Sequence, residues 1–391
     1  MKMTRRFFAS LLIIVAPVFL FVAGSGGENS KPSQYFAFIG TYTSKTDSKG
    51  IYSVHFDSST GGLTSVAAAA ATQDPSFLTV AHNEKYLYAV NELSEFDGKK
   101  SGAVTAYSLD PKSGKLTQLN QVPSGGADPC YVSFDKTGKY LLVANYTGGS
   151  VATFPVAADG RIGAASAFVQ HTGSGPHRER QEGPHAHYIA TSFDNRFAFV
   201  VDLGLDKVVI YRFDPAKGSL TPNDPPFVKV APGAGPRHLA FHPNAKFAYV
   251  LNEVNSTVTA FTYDSKNGSF STLQTLSTIP KYFTGHNDTA EIVVHPSGKF
   301  LYASNRGHDS IAEFTIDPAS GTLTPAGDFP TQGKTPRNFT LDPTGRFLLA
   351  ANQESNNIVL FRIDQSTGAL TATGQVAQVP APVDIVFVHA K

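Results

Sequence analysis

The residues of this chain best equipped for chemistry on an anionic, oxygen-rich small molecule are a few ionisable side chains next to Gly-Pro steps or asparagines. They are His187 in Gly183-Pro184-His185-Ala186-His187, Arg237 in Gly235-Pro236-Arg237-His238, Glu253 in Leu251-Asn252-Glu253 and Arg306 in Ser304-Asn305-Arg306-Gly307. Arg337, Glu92 and Gln353 stand at corresponding places in other segments. Guanidinium forks match the oxygen geometry of carboxylates and phosphates, and His and Glu are common proton-transfer groups. His185 and His187 are two apart, so they share a face of a strand if the strand starts early enough. A metal centre would want a third ligand at fixed spacing, and none is evident. No cofactor is expected: phosphate loops, dinucleotide fingerprints and the Gly-x-Ser-x-Gly nucleophile elbow are all absent.

What positions these residues is a repeat. An apolar run recurs seven times, at Phe36–Tyr42, Tyr86–Glu92, Tyr140–Tyr146, Phe197–Leu203, Phe247–Glu253, Phe300–Arg306 and Phe347–Gln353. Successive starts are 50, 54, 57, 50, 53 and 47 residues apart. Each run is followed by an alternating segment that ends in most copies at an Asp, then a Gly-containing turn and a further short strand such as Ser269-Phe270-Ser271 or Arg161-Ile162-Gly163. Short period-2 strands with Gly, Pro and Asp punctuation are the pattern of a β-propeller blade. The fold class is therefore all-β, a seven-bladed β-propeller over residues 34–391. The first copy lacks the strand that precedes the run elsewhere, and Pro382-Val383-Asp384-Ile385-Val386-Phe387-Val388 reads as that missing strand. The C-terminal strand should then close the first blade and remove an open edge.

In a blade the first strand lines the axis and runs antiparallel to the second, so its start lies beside the second strand's end. Counting ten residues back from each run gives Ser76, Cys130, His187, Arg237, Ala290 and Arg337 as inner-strand starts. The runs end at Tyr42, Glu92, Tyr146, Leu203, Glu253, Arg306 and Gln353. Both sets fall on one rim, where small or apolar residues would cost least; charges there need partners or a use. One reading is a ring of structural ion pairs; the other is a mouth for an anionic small molecule. Asn91, Asn145, Asp202, Asn252, Asn305 and Asn352 recur one residue before the rim and read as turn-forming or backbone-bonding groups. One connection, His171 to His187, is longer and more charged than its counterparts, as functional loops often are.

Residues 1–24 carry Arg5-Arg6 before an apolar run from Leu11 to Ala23 and read as a bacterial export signal of twin-arginine type. This points to a periplasmic or extracellular protein with no membrane association after cleavage; an uncleaved N-terminal anchor is the alternative. Residues 25–33 read as a Gly/Ser linker. A formal charge of +1 offers no bulk field for nucleic acid or an acidic membrane. The lone Cys130 excludes intramolecular disulfides and a cysteine metal cage, and reads as a small buried hydrophobe. Oligomeric state leaves no trace in the sequence.

Taken together, the four motifs of the opening paragraph and the Asp-Pro-x-x-Gly-x-Leu-Thr turns resemble the seven-bladed propeller lactonase family, which includes propeller-type 6-phosphogluconolactonases and fungal carboxymuconate cyclases. The resemblance spans essentially residues 35–391. It implies an active centre of His187, Arg237, Glu253 and Arg306, which the rim count reaches independently; Arg337, Glu92, His185 and Gln353 are read beside them as further candidate substrate contacts. It also implies metal-independent hydrolysis of a sugar lactone, with Glu253 or His187 removing the proton of water and an arginine stabilising the oxyanion. Cyclisation of a carboxymuconate-type dicarboxylate and a non-catalytic binding propeller are the competing expectations. The export signal argues against a phosphorylated, cytosolic substrate.

Overall fold

The computed structural model describes, apart from Met1, residues 34–391; the expected export signal and linker lie outside them. The described chain forms seven four-stranded antiparallel sheets, with a single 3₁₀ turn at Leu203–Leu205. Blade 5 shows the plan: an inner strand Pro236–Phe241, then Phe247–Asn252, Thr257–Asp264 and an outer strand Ser269–Ser277. The inner strands of neighbouring blades pack side by side in a closed ring. No helix of the described residues is long and apolar enough to cross a membrane.

The second strands are buried on both faces, which is why they read as unbroken apolar runs. Their aromatics pack between blades: Phe347 of blade 7 meets Phe56 of blade 1 edge-on at 5.9 Å. A recurrent latch adds polar specificity. Tyr88, Tyr249 and Tyr302 each donate their buried hydroxyl to the turn glycine of the following blade, Gly160, Gly321 and Gly368, at 2.7–3.0 Å. The turns themselves are built by aspartate. In Asp317-Pro318-Ala319-Ser320-Gly321 the Asp317 carboxylate accepts the Ala319 and Ser320 amides, and Gly321 adopts φ 72°.

The ring closes as the sequence implies. Pro382–His389 pairs antiparallel with Gln34–Thr41, aligning Val388 with Phe36 and Val386 with Phe38. Asp384 of this strand accepts the amide of Leu78 in blade 2 at 2.7 Å, so the C-terminus ties two blades together. One expectation fails. Arg161-Ile162-Gly163 does not form the outer strand of blade 3, which is Ala167–Gln170. Ile162 makes only an isolated antiparallel bridge to Val156, and its own backbone N–H and C=O are both taken by the Asn120 side chain of blade 2, at 3.0 and 2.8 Å.

Deleting residues 382–391 would expose both the Gln34–Thr41 edge and the apolar seam behind it. The truncated chain is expected to show no cooperative thermal transition and rapid limited proteolysis; a native-like melting curve would contradict closure by this strand.

Candidate active site

Five inner strands carry a β-bulge at the same place, the closing strand of blade 1 with Val383 as its extra residue among them. In blade 4 Ala186 pairs with Asp202 and Tyr188 with Val201, leaving His187 as the extra residue. The same shift leaves Cys130 in blade 3, Arg237 in blade 5 and Arg337 in blade 7. In blade 6 the bulge sets two residues, Ala290 and Glu291, against the single Ser304. Strand alternation would send adjacent residues to opposite faces. A bulge breaks that rule and re-aims the extra side chain. The glycines of the motifs serve this geometry: Gly235 sits at φ 63° just before the bulge, where a Cβ would lie 2.4 Å from Val254.

The bulged residues and the ends of the second strands surround one cavity of about 260 Å³, lined by Glu92, Cys130, Tyr146, Arg180, His187, Glu253, Asp288, Arg306 and Arg337. A deeper lobe shares Glu92, Cys130, His187 and Arg337 and is completed by Arg237, His238, Glu291 and Asn338. Its free space of about 10 Å³ is room for about one water.

Glu253 is the centre of charge. Arg237 Nε and Arg306 Nη2 lie 3.0 and 3.1 Å from its Oε2, and Arg180 pairs with its Oε1. Burial would raise its pKa, but Arg306, Arg237 and Arg180 together outweigh burial and bring it down to about 2. His187 goes the other way for a base: burial first, then Arg237, His238 and Arg337, hold it well below the ordinary 6.5, so its imidazole is neutral at neutral pH. Its Nδ1 faces Cys130 Sγ at 3.6 Å, and its Nε2 has no hydrogen-bond partner among the described residues. Burial raises Glu92, against the pull of Arg337; its carboxyl accepts the Tyr42 hydroxyl at 2.9 Å. Arg337 lies over the Tyr42 ring, 5.2 Å from its centroid, and makes no hydrogen bond or close ion pair among the described residues.

The structure therefore brings together six of the eight expected residues: His187, Arg237, Glu253, Arg306, Arg337 and Glu92. His185 and Gln353 are not among them. His185 precedes its strand, and the bulge at His187 breaks their shared face; His185 stacks on Tyr146 at 4.6 Å and bonds the Tyr146 carbonyl, outside the cavity wall. Gln353 lines an open groove at the seam between blade 7 and blade 1, with Lys45, Asp47 and Ala381. Its side chain is directed to that seam rather than to the axis. Cys130 is buried as expected, yet it lines the cavity.

Arg180, Tyr146 and Asp288 were missed as site residues. Arg180 comes from the long charged connection, whose length was the available signal. The connection is pinned at both ends by Asp202, which takes the His171 imidazole at 2.6 Å and the His185 amide at 2.8 Å. Between them the fully buried Gln181 donates to the Leu203 carbonyl and the Asp206 carboxylate. Arg180, its neighbour, is thereby delivered onto Glu253, and its Nη1 lies 3.5 Å from Asp288. Three of the recurrent Asn residues behave as read: Asn145, Asn305 and Asn352 each donate to a backbone carbonyl of the loop that leads into their own blade.

The depressed Glu253 carboxyl has a consequence for stability. It binds its proton less tightly folded than unfolded, so its contribution is present above the ordinary 4.5 and is lost as pH falls toward about 2. Denaturant unfolding measured across that range should show a steep acid limb in the wild type and a flatter one in Glu253→Gln, which is also less stable at pH 7 because three guanidinium groups lose their counter-charge.

Among known proteins, residues 36–387 match the family model described as Lactonase, 7-bladed beta-propeller. A 6-phosphogluconolactonase of Bacillus subtilis is 41% identical over 357 residues, covering 91% of this chain and 99% of that protein. A 6-phosphogluconolactonase of Formosa agariphila is 38% identical over 308 residues, covering 78% of this chain and 85% of that protein. The solved structure of a periplasmic gluconolactonase from Pseudomonas aeruginosa superposes with a TM-score of 0.86 at 37% identity, covering 92% of this chain and all of that one. With the match running through every blade, the chain belongs to the family of seven-bladed β-propeller lactonases.

Proposed function

We propose that this lactonase hydrolyses a six-membered sugar lactone without a metal, at the axial cavity, and that His187, Arg237, Glu253 and Arg306 carry the reaction. The observation that carries the reading is a neutral, buried imidazole facing the same cavity as a set of fixed guanidinium groups. Ester hydrolysis needs a proton acceptor for water and a positive group for the oxygen that becomes anionic.

His187 Nε2 takes a proton from water as the water oxygen bonds to the lactone carbonyl carbon. The oxyanion of the tetrahedral intermediate is met by Arg306, or by Arg237 from the deeper lobe. The ring C–O bond then breaks, and the leaving alkoxide recovers the proton from the His187 imidazolium, giving a free hydroxy acid. Glu253, held down to about 2, is too weak a base for this step at neutral pH and serves as the counter-charge that fixes the arginines. The deeper lobe, with room for about one water beside His187, suits a hydrolytic step.

Arg337, unpaired and mostly buried, is placed to take an anionic or oxygen-rich substituent of the lactone, with Glu92 limiting its freedom. A named periplasmic gluconolactonase among the relatives and the sequence signature of residues 1–24 both support an exported enzyme acting on an unphosphorylated sugar lactone. The free Arg337 also suits a dicarboxylate, so loss of ultraviolet absorbance from a carboxymuconate is the measurement that would favour cyclisation instead.

With spontaneous opening subtracted, wild-type protein should accelerate hydrolysis of glucono-1,5-lactone, while His187→Ala and Arg237→Ala each lose about 100-fold or more in kcat/KM yet remain folded. Rates indistinguishable from wild type would remove the proposal. Because His187 must be neutral to act and its pKa is depressed, kcat/KM should stay level through pH 6.5 and fall only at lower pH; a fall centred at or above 6.5 would exclude it as the base.

A further inference from the structure

Below the reacting groups lies a floor that the proposed mechanism does not use. The residue after Arg237 is His238, 2% exposed. The bulge turns both of these neighbours toward the axis, where His238 touches Tyr131, Tyr188 and Phe77 and meets the His187 ring at a centroid distance of 5.1 Å. Its Nε2 is 3.3 Å from Arg237 Nη1, and its Nδ1 is 3.1 and 3.2 Å from the two oxygens of Glu291. Glu291 lies in the blade 6 bulge, where it and Ala290 face the single Ser304. Its carboxylate is held by the Asn338 amide at 3.0 Å and by the Ile292 backbone amide at 3.0 Å.

The tautomer follows from elementary donor counting. A guanidinium only donates, so the contact with Arg237 requires a lone pair on His238 Nε2. The proton of the neutral ring is then on Nδ1, where it faces the carboxylate. Arg237 thereby has Nε directed to Glu253, and Nη1 shared between His238 and the Ala290 carbonyl at 2.6 Å. Nη2 has no protein acceptor among the described residues. We propose that Glu291 and His238 are positioning residues for Arg237: Glu291 fixes the ring tautomer, and His238 accepts from Nη1 so that Nη2 is presented to substrate. This rests on the reading of Arg237 as a group that acts on the lactone.

Ring ¹⁵N NMR of labelled wild-type protein should show His238 with Nδ1 protonated and Nε2 bare, and Glu291→Gln should mix the tautomers. An Nε2-protonated ring in the wild type would overturn the proposal, whether or not the protein opens lactones. Steady-state kinetics on glucono-1,5-lactone supply the second arm. His238→Phe should lose about 10- to 100-fold in kcat with KM changed by less than about threefold, and His238→Gln, whose side-chain oxygen restores an acceptor, should recover much of the loss. A folded His238→Phe with wild-type kcat, or a His238→Gln no better than it, would also overturn it. Should His238→Phe fail to fold over the buried carboxylate, the paired His238→Phe/Glu291→Gln change removes that charge and is held to the same comparison. Wild-type protein without turnover above background would defeat the functional proposal instead, and the NMR result would still decide the tautomer.

Discussion

A single buried carboxylate organises the axis of this molecule. Glu253, 4% exposed, faces three guanidinium groups that come from three different parts of the chain: the connection into blade 4, the inner strand of blade 5 and the second strand of blade 6. None of these arginines could be buried alone without a large desolvation cost. Each is tolerable because the others share its counter-charge and because backbone carbonyls, Ala290 for Arg237 and Thr289 for Arg306, take remaining protons. The result is a rigid positive lattice beside a neutral histidine.

The scaffold makes that arrangement possible through a repeated irregularity. Straight inner strands would place every other side chain at the axis and the rest between the blades. The bulges in blades 1, 3, 4, 5 and 7 instead put an additional side chain at the axis from each strand, and those side chains are Val383, Cys130, His187, Arg237 and Arg337. The residues immediately after the last four, Tyr131, Tyr188, His238 and Asn338, form a second layer beneath. An axial level and a supporting level of side chains therefore arise from one backbone device used in blades 1, 3, 4, 5 and 7, with a two-against-one variant in blade 6.

The relatives bracket the substrate rather than name it. The Bacillus subtilis and Formosa agariphila proteins are called 6-phosphogluconolactonases, whereas the Pseudomonas aeruginosa structure is a periplasmic gluconolactonase. All are compatible with a cavity whose deeper part is committed to polar chemistry and whose outer wall carries Arg180 and Asp288, one of each sign.

The amino-acid sequence by itself determined the blade count, the order of strands, the closure by Pro382–His389 and the rim membership of His187, Arg237, Glu253, Arg306, Arg337 and Glu92. These follow from period-2 patterning and antiparallel pairing, which are local and repeat seven times, so a register error in one copy is exposed by the others. Tertiary structure alone decided the rest. That Arg180 reaches Glu253 depends on how Gln181 and Asp202 fold an irregular connection. That His185 turns away while His187 points inward depends on a bulge, and that Gln353 faces the seam depends on how blade 7 meets blade 1. The physical reason is common to all three: a side chain's direction at the end of a strand is set by packing and hydrogen bonds between blades, and no periodicity along one strand encodes it.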